Sequence, residues 1–250
     1  MRLSVVVPVL NSHEIFRRQL LHWAKIGVPE DTEIIYMDDG SDPPISNFGI
    51  RIPRLQIVPT NDFRPWTWAP ARNAGAKVAT GEYLLMTDLD YIIPRAAIDA
   101  ARAFDGDRLG FHREFGVLDD EGNFTQDHAV LVAYGLSAKR LAVKGTKMPP
   151  HPNNFVIKSS VYQAMGGFRE DLVDRPYPQG EDRYFKRTLM EFAAAGKITL
   201  DDRPRPTLFH FPNGQYCNGD VDANPFGLFH TLTRKTERNP WHNNPRYKDT

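Results

Sequence analysis

Three pairs of carboxylates in this chain are set so that they could do chemistry: Asp38-Asp39, Asp88-Leu89-Asp90 and Glu181-Asp182. The first two follow apolar runs that read as strands, Thr32 to Met37 and Tyr83 to Thr87. A third run, Leu3 to Val9, leads into Pro8, Leu10 and Asn11. In open α/β sheets ligands bind beyond the carboxyl ends of the strands. If these strands are neighbours, Asp38, Asp39, Asp88 and Asp90 surround one crevice. Carboxylates repel phosphate, so such a crevice holds a pyrophosphate only through a divalent cation with hard oxygen ligands, Mg²⁺ or Mn²⁺. Taken singly, Asp-Asp-Gly-Ser is also ordinary turn chemistry, and Asp-x-Asp before Pro94 also suits a helix entry. No G-x-G-x-x-G fingerprint and no G-x-x-x-x-G-K-[ST] loop is present, which excludes an ordinary dinucleotide or P-loop site.

The elements that position these groups can be read from periodicity. Leu3 to Val9 is β-branched and fits a strand buried on both faces. Asn11 with Glu14 fits a capping box, and Phe16, Leu20, Trp23 and Ala24 recur at helical spacing until Gly27 and Pro29. Leu55 to Val58 is a short strand. Pro70 can open a helix through Ala79, and Pro94 to Phe104 reads as another. Residues 1–104 thus alternate strand and helix, which predicts a mostly parallel, Rossmann-like sheet flanked by helices.

The second half reads as mixed α+β. Leu109 to Phe115 and Ala129 to Tyr134 look like strands around a turn at 119–123. Residues 144–154 are a Pro/Asn-rich loop. Ser159 caps a short helix to Met165, Glu181 to Ala195 is a longer one, and Thr207 to Phe211 is a late strand. Beyond Pro212 the composition predicts loop and tail, with a net charge of +3 over residues 231–250. The expectation is one domain: a nucleotide-binding half over 1–104, an acceptor half over 105–211 and a tail over 212–250.

Composition narrows the function. The chain has 250 residues, with 31 Lys+Arg against 31 Asp+Glu. Zero net charge disfavours a nucleic-acid partner held by bulk charge. One cysteine, Cys217, excludes an internal disulfide framework and a cysteine-based zinc site. The first apolar run is too short for a signal-peptide core, and no run is long enough to span a membrane, so the expected location is the cytoplasm.

Several ordered segments together resemble the family-2 glycosyltransferases, which have the nucleotide-binding glycosyltransferase-A fold. They are VVVPVLN at 5–11, YMDDGSD at 36–42, ARNAGAKVATGEYLLMTDLDYIIP at 71–94, GGFRED at 166–171 and GEDRYFKRTL at 180–189. The GGF…GED segment is also similar to that of the galactosyltransferases of this fold. The resemblance covers roughly residues 3–195. It implies that Asp38 and Asp39 contact the donor nucleoside and that Arg72, beside Asn73, lies near base or phosphate. Asp88 and Asp90 match the metal-binding D-x-D motif. Asp182, next to Glu181, matches the general base of the inverting members. A helix N-terminus lowers a carboxylate's pKa, which suits an ionised base. His210 stands where several members of the fold place a further metal ligand, with His230 the second choice. Leu10 replaces the aromatic residue that often stacks on the base.

Further residues have two readings. Trp66 and Trp68 suit a sugar ring or local packing. Asn153 and Asn154 suit sugar hydroxyls or loop structure. The resulting expectation is a metal-dependent inverting glycosyltransferase using Mn²⁺ or Mg²⁺. Its donor is a nucleotide sugar, most simply UDP-linked, and its acceptor a carbohydrate or other hydroxyl. One rival is a nucleotidyltransferase that makes nucleotide sugars, which would need a basic Gly-rich loop that Pro8 to Ser12 lacks. The other is a non-catalytic glycan-binding module, which would be expected to have lost Asp88, Asp90 or Asp182.

Overall fold

A computed structural model describes residues 1–62, 64, 67–172, 180–200 and 205–212. Trp66, His230 and the tail beyond 212 lie outside the described residues. Along the first half run β1 (Leu3–Val9), α1 (His13–Ile26), β2 (Thr32–Asp38), β3 (Leu55–Pro59), α2 (Trp68–Val78), β4 (Tyr83–Met86), β5 (Tyr91–Ile92) and α3 (Arg95–Ala103). Then come β6 (Arg108–Gly110), β7 (His112–Phe115), β8 (Val117–Leu118), β9 (Phe124–Thr125), α4 (His128–Ala133), α5 (Ala138–Lys144) and β10 (Lys147–Met148). The described part closes with β11 (Phe155–Lys158), α6 (Ser159–Ala164), α7 (Glu181–Ala194) and β12 (Thr207–His210).

The central sheet has the order β3-β2-β1-β4-β11-β6. Its first four strands are parallel, and β11 runs antiparallel to both β4 and β6. Side chains alternate faces along a strand, and both faces here are apolar. Val5, Val7, Ile34, Tyr36 and Leu85 face the core that holds α1 and α3. Val6, Ile35, Met37, Leu84 and Met86 face the core with Phe168, Phe185 and Leu189. This two-sided burial is why β1 and β2 read as continuous apolar runs. Gly75 lets α2 lie close on β1, because a Cβ there would sit 2.4 Å from Val6 Cγ1.

A second sheet, β10-β7-β12-β5, stands beside the first. Strand β12 is inserted between β7, to which it is parallel, and β5, to which it is antiparallel. Together the sheets give the mixed α/β architecture expected from the sequence, with four adjacent parallel strands from the first half and one further parallel pair, β7 and β12, in the second.

Local expectations failed where short polar contacts decide the backbone. The Asn11–Glu14 capping box does not form. Asn11 has φ +51° and turns its side chain to accept from the Asp42 N–H at 2.7 Å, while Glu14 pairs with Arg17 and Arg18. Of the expected strand 129–134, residues 129–133 are helical and Tyr134 is the helix C-cap. The Asp127 carboxylate accepts from the Ala129 and Val130 N–H groups, and this cap overrides the β-branched composition. The run 109–115 is split at Phe111, so β6 and β7 join different sheets. The loop 144–154 contains β10. Ser159 is the first residue of α6 instead of its cap, and its hydroxyl donates to the Gly81 carbonyl at 2.6 Å.

Candidate active site

The carboxyl ends of β1, β2 and β4 lie side by side, as the parallel register requires. The loops that follow are tied to each other. The Asn11 N–H donates to Ser41 Oγ at 2.9 Å, and Asp38 accepts from the Ser41 and Ile45 N–H groups at 2.9 and 3.0 Å. Both Asp38 oxygens therefore hold its own turn. Asp39 bridges outward, accepting from the Thr60 hydroxyl at 3.1 Å and from the Thr67 hydroxyl, and so joins the end of β3 to the start of α2. Pro8 and Leu10 are buried beneath these loops, Leu10 with 4% exposure, so Leu10 offers no open face for a base. Trp68 opens α2 half-buried.

Arg72 of α2 is buried with 2% exposure and pairs with Asp88. Its Nε and Nη1 are buried without a hydrogen-bond partner, and its guanidinium lies 5.2 Å over the Phe168 ring. Burial pulls its pKa down, but Asp88 and Glu181 outweigh that and raise it, so Arg72 is a fixed cation. Asn73 is fully used inside the protein. It donates to the Phe168 carbonyl and Glu170, and accepts from Tyr162 at 2.6 Å and from the Phe168 N–H at 2.9 Å. It thus pins the 166–170 loop and does not face the crevice. Gly167, with φ +66°, fits only because it has no Cβ, which would lie 2.5 Å from Asn73 Oδ1. Phe168 then stacks on Phe185 with centroids 4.4 Å apart, which sets the position of α7. Gly180 caps α7 with φ +93°, and Glu181 and Asp182 occupy its first turn. Glu181 is buried and Asp182 half-buried.

The Asp88–Asp90 turn is held from below by α1. Gln19 donates its amide to the Leu89 carbonyl and, at 3.0 Å, to the Tyr91 carbonyl. Asp90 Oδ2 lies 2.9 Å from His210 Nε2 on β12. Its other oxygen, Oδ1, is buried and has no hydrogen-bond partner. Burial pushes the Asp90 carboxyl up, but His210, His151 and Arg113 together hold it below the usual range.

The expected trio of metal ligands is not gathered. Asp90 and His210 meet, whereas Asp88 turns to Arg72. Among the described residues no group of three His, Cys, Asp or Glu side chains converges as a ready metal cage. The physical reason is that a buried guanidinium without a counter-charge is costly, and Asp88 supplies that charge. The donor set still fits Mn²⁺ or Mg²⁺ in kind. Asp90 Oδ1 is a buried oxygen lacking a partner, His210 adds an imidazole, and Asp88 remains 27% exposed at the rim.

Sequence reasoning missed His151. It sits in the Pro-rich loop before β11 and feels Asp88, Asp90 and Asp182 together. Burial lowers its pKa, and these three carboxylates only partly offset that. The Asn153 N–H donates to His151 Nδ1 at 3.3 Å, so the proton of the neutral ring belongs on Nε2. Asn153 and Asn154 are buried there. Asn154 accepts from the Thr87 hydroxyl at 2.6 Å, and its Nδ2, like Asn153 Oδ1, has no partner. Arg113, which donates to the Pro149 carbonyl at 2.7 Å, is the other missed neighbour of Asp90. Neither residue belongs to a motif with fixed spacing, so only the fold brings them in.

Residues 4–103 match the family described as glycosyl transferase family 2. No curated protein matches the chain. Among solved structures, S. aureus TarS 1-349 in complex with UDP-GlcNAc is 19% identical with a TM-score of 0.52, over 75% of this chain and 53% of that one. Mannosyltransferase PcManGT from Pyrobaculum calidifontis in complex with GDP-Man and Mn²⁺ is 20% identical with a TM-score of 0.51, over 86% of this chain and 58% of that one. The matches thus span little more than half the length of those proteins. The chain shares the glycosyltransferase-A fold with these structures, and residues 4–103 are similar to glycosyl transferase family 2. No helix among the described residues is long and apolar enough to cross a membrane.

Proposed function

We propose that the protein is a divalent-metal-dependent, inverting glycosyltransferase that moves a sugar from a nucleotide donor, most simply a UDP-sugar, to an acceptor hydroxyl. One observation carries this reading: Arg72 pairs with Asp88 and lies over the Phe168 ring, which stacks on Phe185 of α7, so one buried cation links the D-x-D turn to the start of α7 beside the crevice. A donor diphosphate on the D-x-D side and an acceptor hydroxyl on the α7 side would then meet across that crevice.

Asp90 and His210 would hold the ion, with Asp88 completing the set by leaving Arg72. The ion would supply Lewis-acid charge neutralisation for the departing nucleoside diphosphate. Arg72, already buried and cationic, places a second positive charge beside the D-x-D turn. Asp182 takes the proton from the acceptor hydroxyl as its oxygen attacks the anomeric carbon and the bond to the diphosphate breaks. One displacement with one base inverts the centre and needs no covalent nucleophile. The hydroxyls of Thr60 and Thr67 hold Asp39 at the mouth of the nucleoside side.

The test is thermal unfolding with a panel of nucleoside diphosphates and nucleotide sugars, with Mn²⁺ and with EDTA. A ligand at 100 times its Kd stabilises by about 2.7 kcal/mol, which for this size raises Tm by roughly 5–10 °C. A Mn²⁺-dependent rise with one nucleotide is expected. No rise with any nucleotide would overturn the reading.

A further inference from the structure

Beneath α7 lies a pocket of about 280 Å³ between that helix, the β6 edge of the central sheet and the 150–152 loop. Its charged lining residues are Arg108, Lys186 and Arg205, and no carboxylate lines it among the described residues. Arg108 lies against the Phe155 ring at 5.2 Å, and its Nε is buried with no hydrogen-bond partner. Gly110, two residues on and therefore on the same strand face, leaves room for Arg205. A Cβ at Gly110 would lie 3.6 Å from the Arg205 guanidinium carbon. Arg108 and Arg205 thus lie along the same strand face, with no counter-charge among the described residues that line the pocket. Burial and the Arg205 charge push the Arg108 guanidinium down to about 10. Proteins keep arginine charged at neutral pH, so Arg108 presents a cation to the pocket.

The pocket adjoins the D-x-D turn: its lining residue Asn154 accepts from the hydroxyl of Thr87, the residue before Asp88, at 2.6 Å. His151 and Asn154 line it, and His151 is the ring that feels Asp88, Asp90 and Asp182. On α7 the lining residues Phe185, Lys186, Leu189 and Met190 follow Asp182 at helical spacing. Lys186 is one turn and Met190 two turns below Asp182, roughly 6 and 12 Å at 1.5 Å per residue. Leu189, Met190 and Leu200 add an apolar floor, with Met190 and Leu200 exposed.

We propose that this pocket binds a phosphoryl group carried by the acceptor, so that the enzyme selects a phosphate-bearing acceptor and presents its neighbouring hydroxyl to Asp182. The proposal rests on the glycosyltransferase reading above. A pair of arginine forks and a lysine suit the several oxygens of a phosphoryl group better than a two-oxygen carboxylate.

The test is calorimetric titration of the full chain with inorganic phosphate, with acetate in a parallel arm and UDP plus Mn²⁺ in a third. Phosphate is expected to bind wild type and to bind Arg108→Met at least tenfold more weakly. Lys186→Gln and Arg205→Gln, at exposed positions that cannot upset the core, should each weaken it severalfold. UDP affinity should stay within twofold in all three variants. The proposal is overturned if phosphate does not bind, if the variants bind it as wild type does, if acetate binds equally tightly, or if phosphate competes with UDP. Failure of UDP to bind wild type would instead overturn the transferase reading, and with it the assignment of the pocket to an acceptor. The phosphate titration would still report the anion site itself.

Discussion

The two walls of the crevice hold their charges in opposite ways. On the D-x-D side the carboxylates are engaged: Asp38 by two N–H groups, Asp39 by two hydroxyls, Asp88 by Arg72 and Asp90 by His210. In the pocket under α7, Arg108, Lys186 and Arg205 gather with no described carboxylate among them. An engaged charge stabilises the fold and must be re-partnered when a ligand arrives. An unengaged one weakens the fold and gains on binding. One wall is therefore preassembled and exchanges its contacts, whereas the other gathers cations that have no carboxylate partner among the described lining residues.

Asp182, where the walls meet, gives the largest expected effect. Asp182→Asn should lower turnover by roughly 10²–10⁴-fold, the range of a lost general base, and leave the nucleotide-induced rise in Tm intact. Retained turnover would break the division into a donor wall and an acceptor wall.

The next test sets one wall against the other. Asp88→Ala leaves Arg72 buried without its counter-charge and should cost roughly 3 kcal/mol, the low end for breaking a buried pair, read as a lower urea midpoint at unchanged slope. Arg108→Met removes a cation that has no counter-charge among the described residues and keeps a similar volume. It should change stability by less than about 1 kcal/mol, in the stabilising direction. If both variants lose stability equally, the contrast between the walls fails.

The smallest effect is in pH. His151 and His22 are both held below the usual imidazole value, chiefly by burial. The folded state then binds fewer protons than the unfolded chain, so this stability is fully present above about 6.5, the ordinary imidazole value. It should fall as the pH drops below that value. A Tm profile from pH 8 to 5 should decline on the acid side, and His151→Asn should flatten part of that decline. An identical profile in the variant would remove His151 from the shared field of the two walls.

Much of the D-x-D wall was legible in the sequence. Runs such as Leu3 to Val9 carry a strong local signal because both faces of their strands are buried, and the acidic turns after β2 and β4 sit where such sheets bind ligands. The second half of the chain was not. Its second sheet uses strands of two to four residues, too short to show a period. Its helix α4 is decided by the single cap at Asp127. Asn73 looked like a ligand contact and is instead the pin of the 166–170 loop, because its four hydrogen bonds come from residues about ninety positions away. His151 and the arginines of the pocket are brought in by tertiary packing alone, and no spacing rule could have gathered them.

Strand β12 gives this arrangement an order in time. It lies between β7 and β5 and delivers His210 to Asp90, from residues synthesised long after the whole family-2 segment. A nascent chain that has finished the parallel half already carries its acidic turns, but the imidazole beside them is missing until the ribosome has passed residue 210. Non-local pairings of this kind form late. The Asp90–His210 pair is then the final part of the candidate site to be completed, and a chain halted before β12 would be made without it.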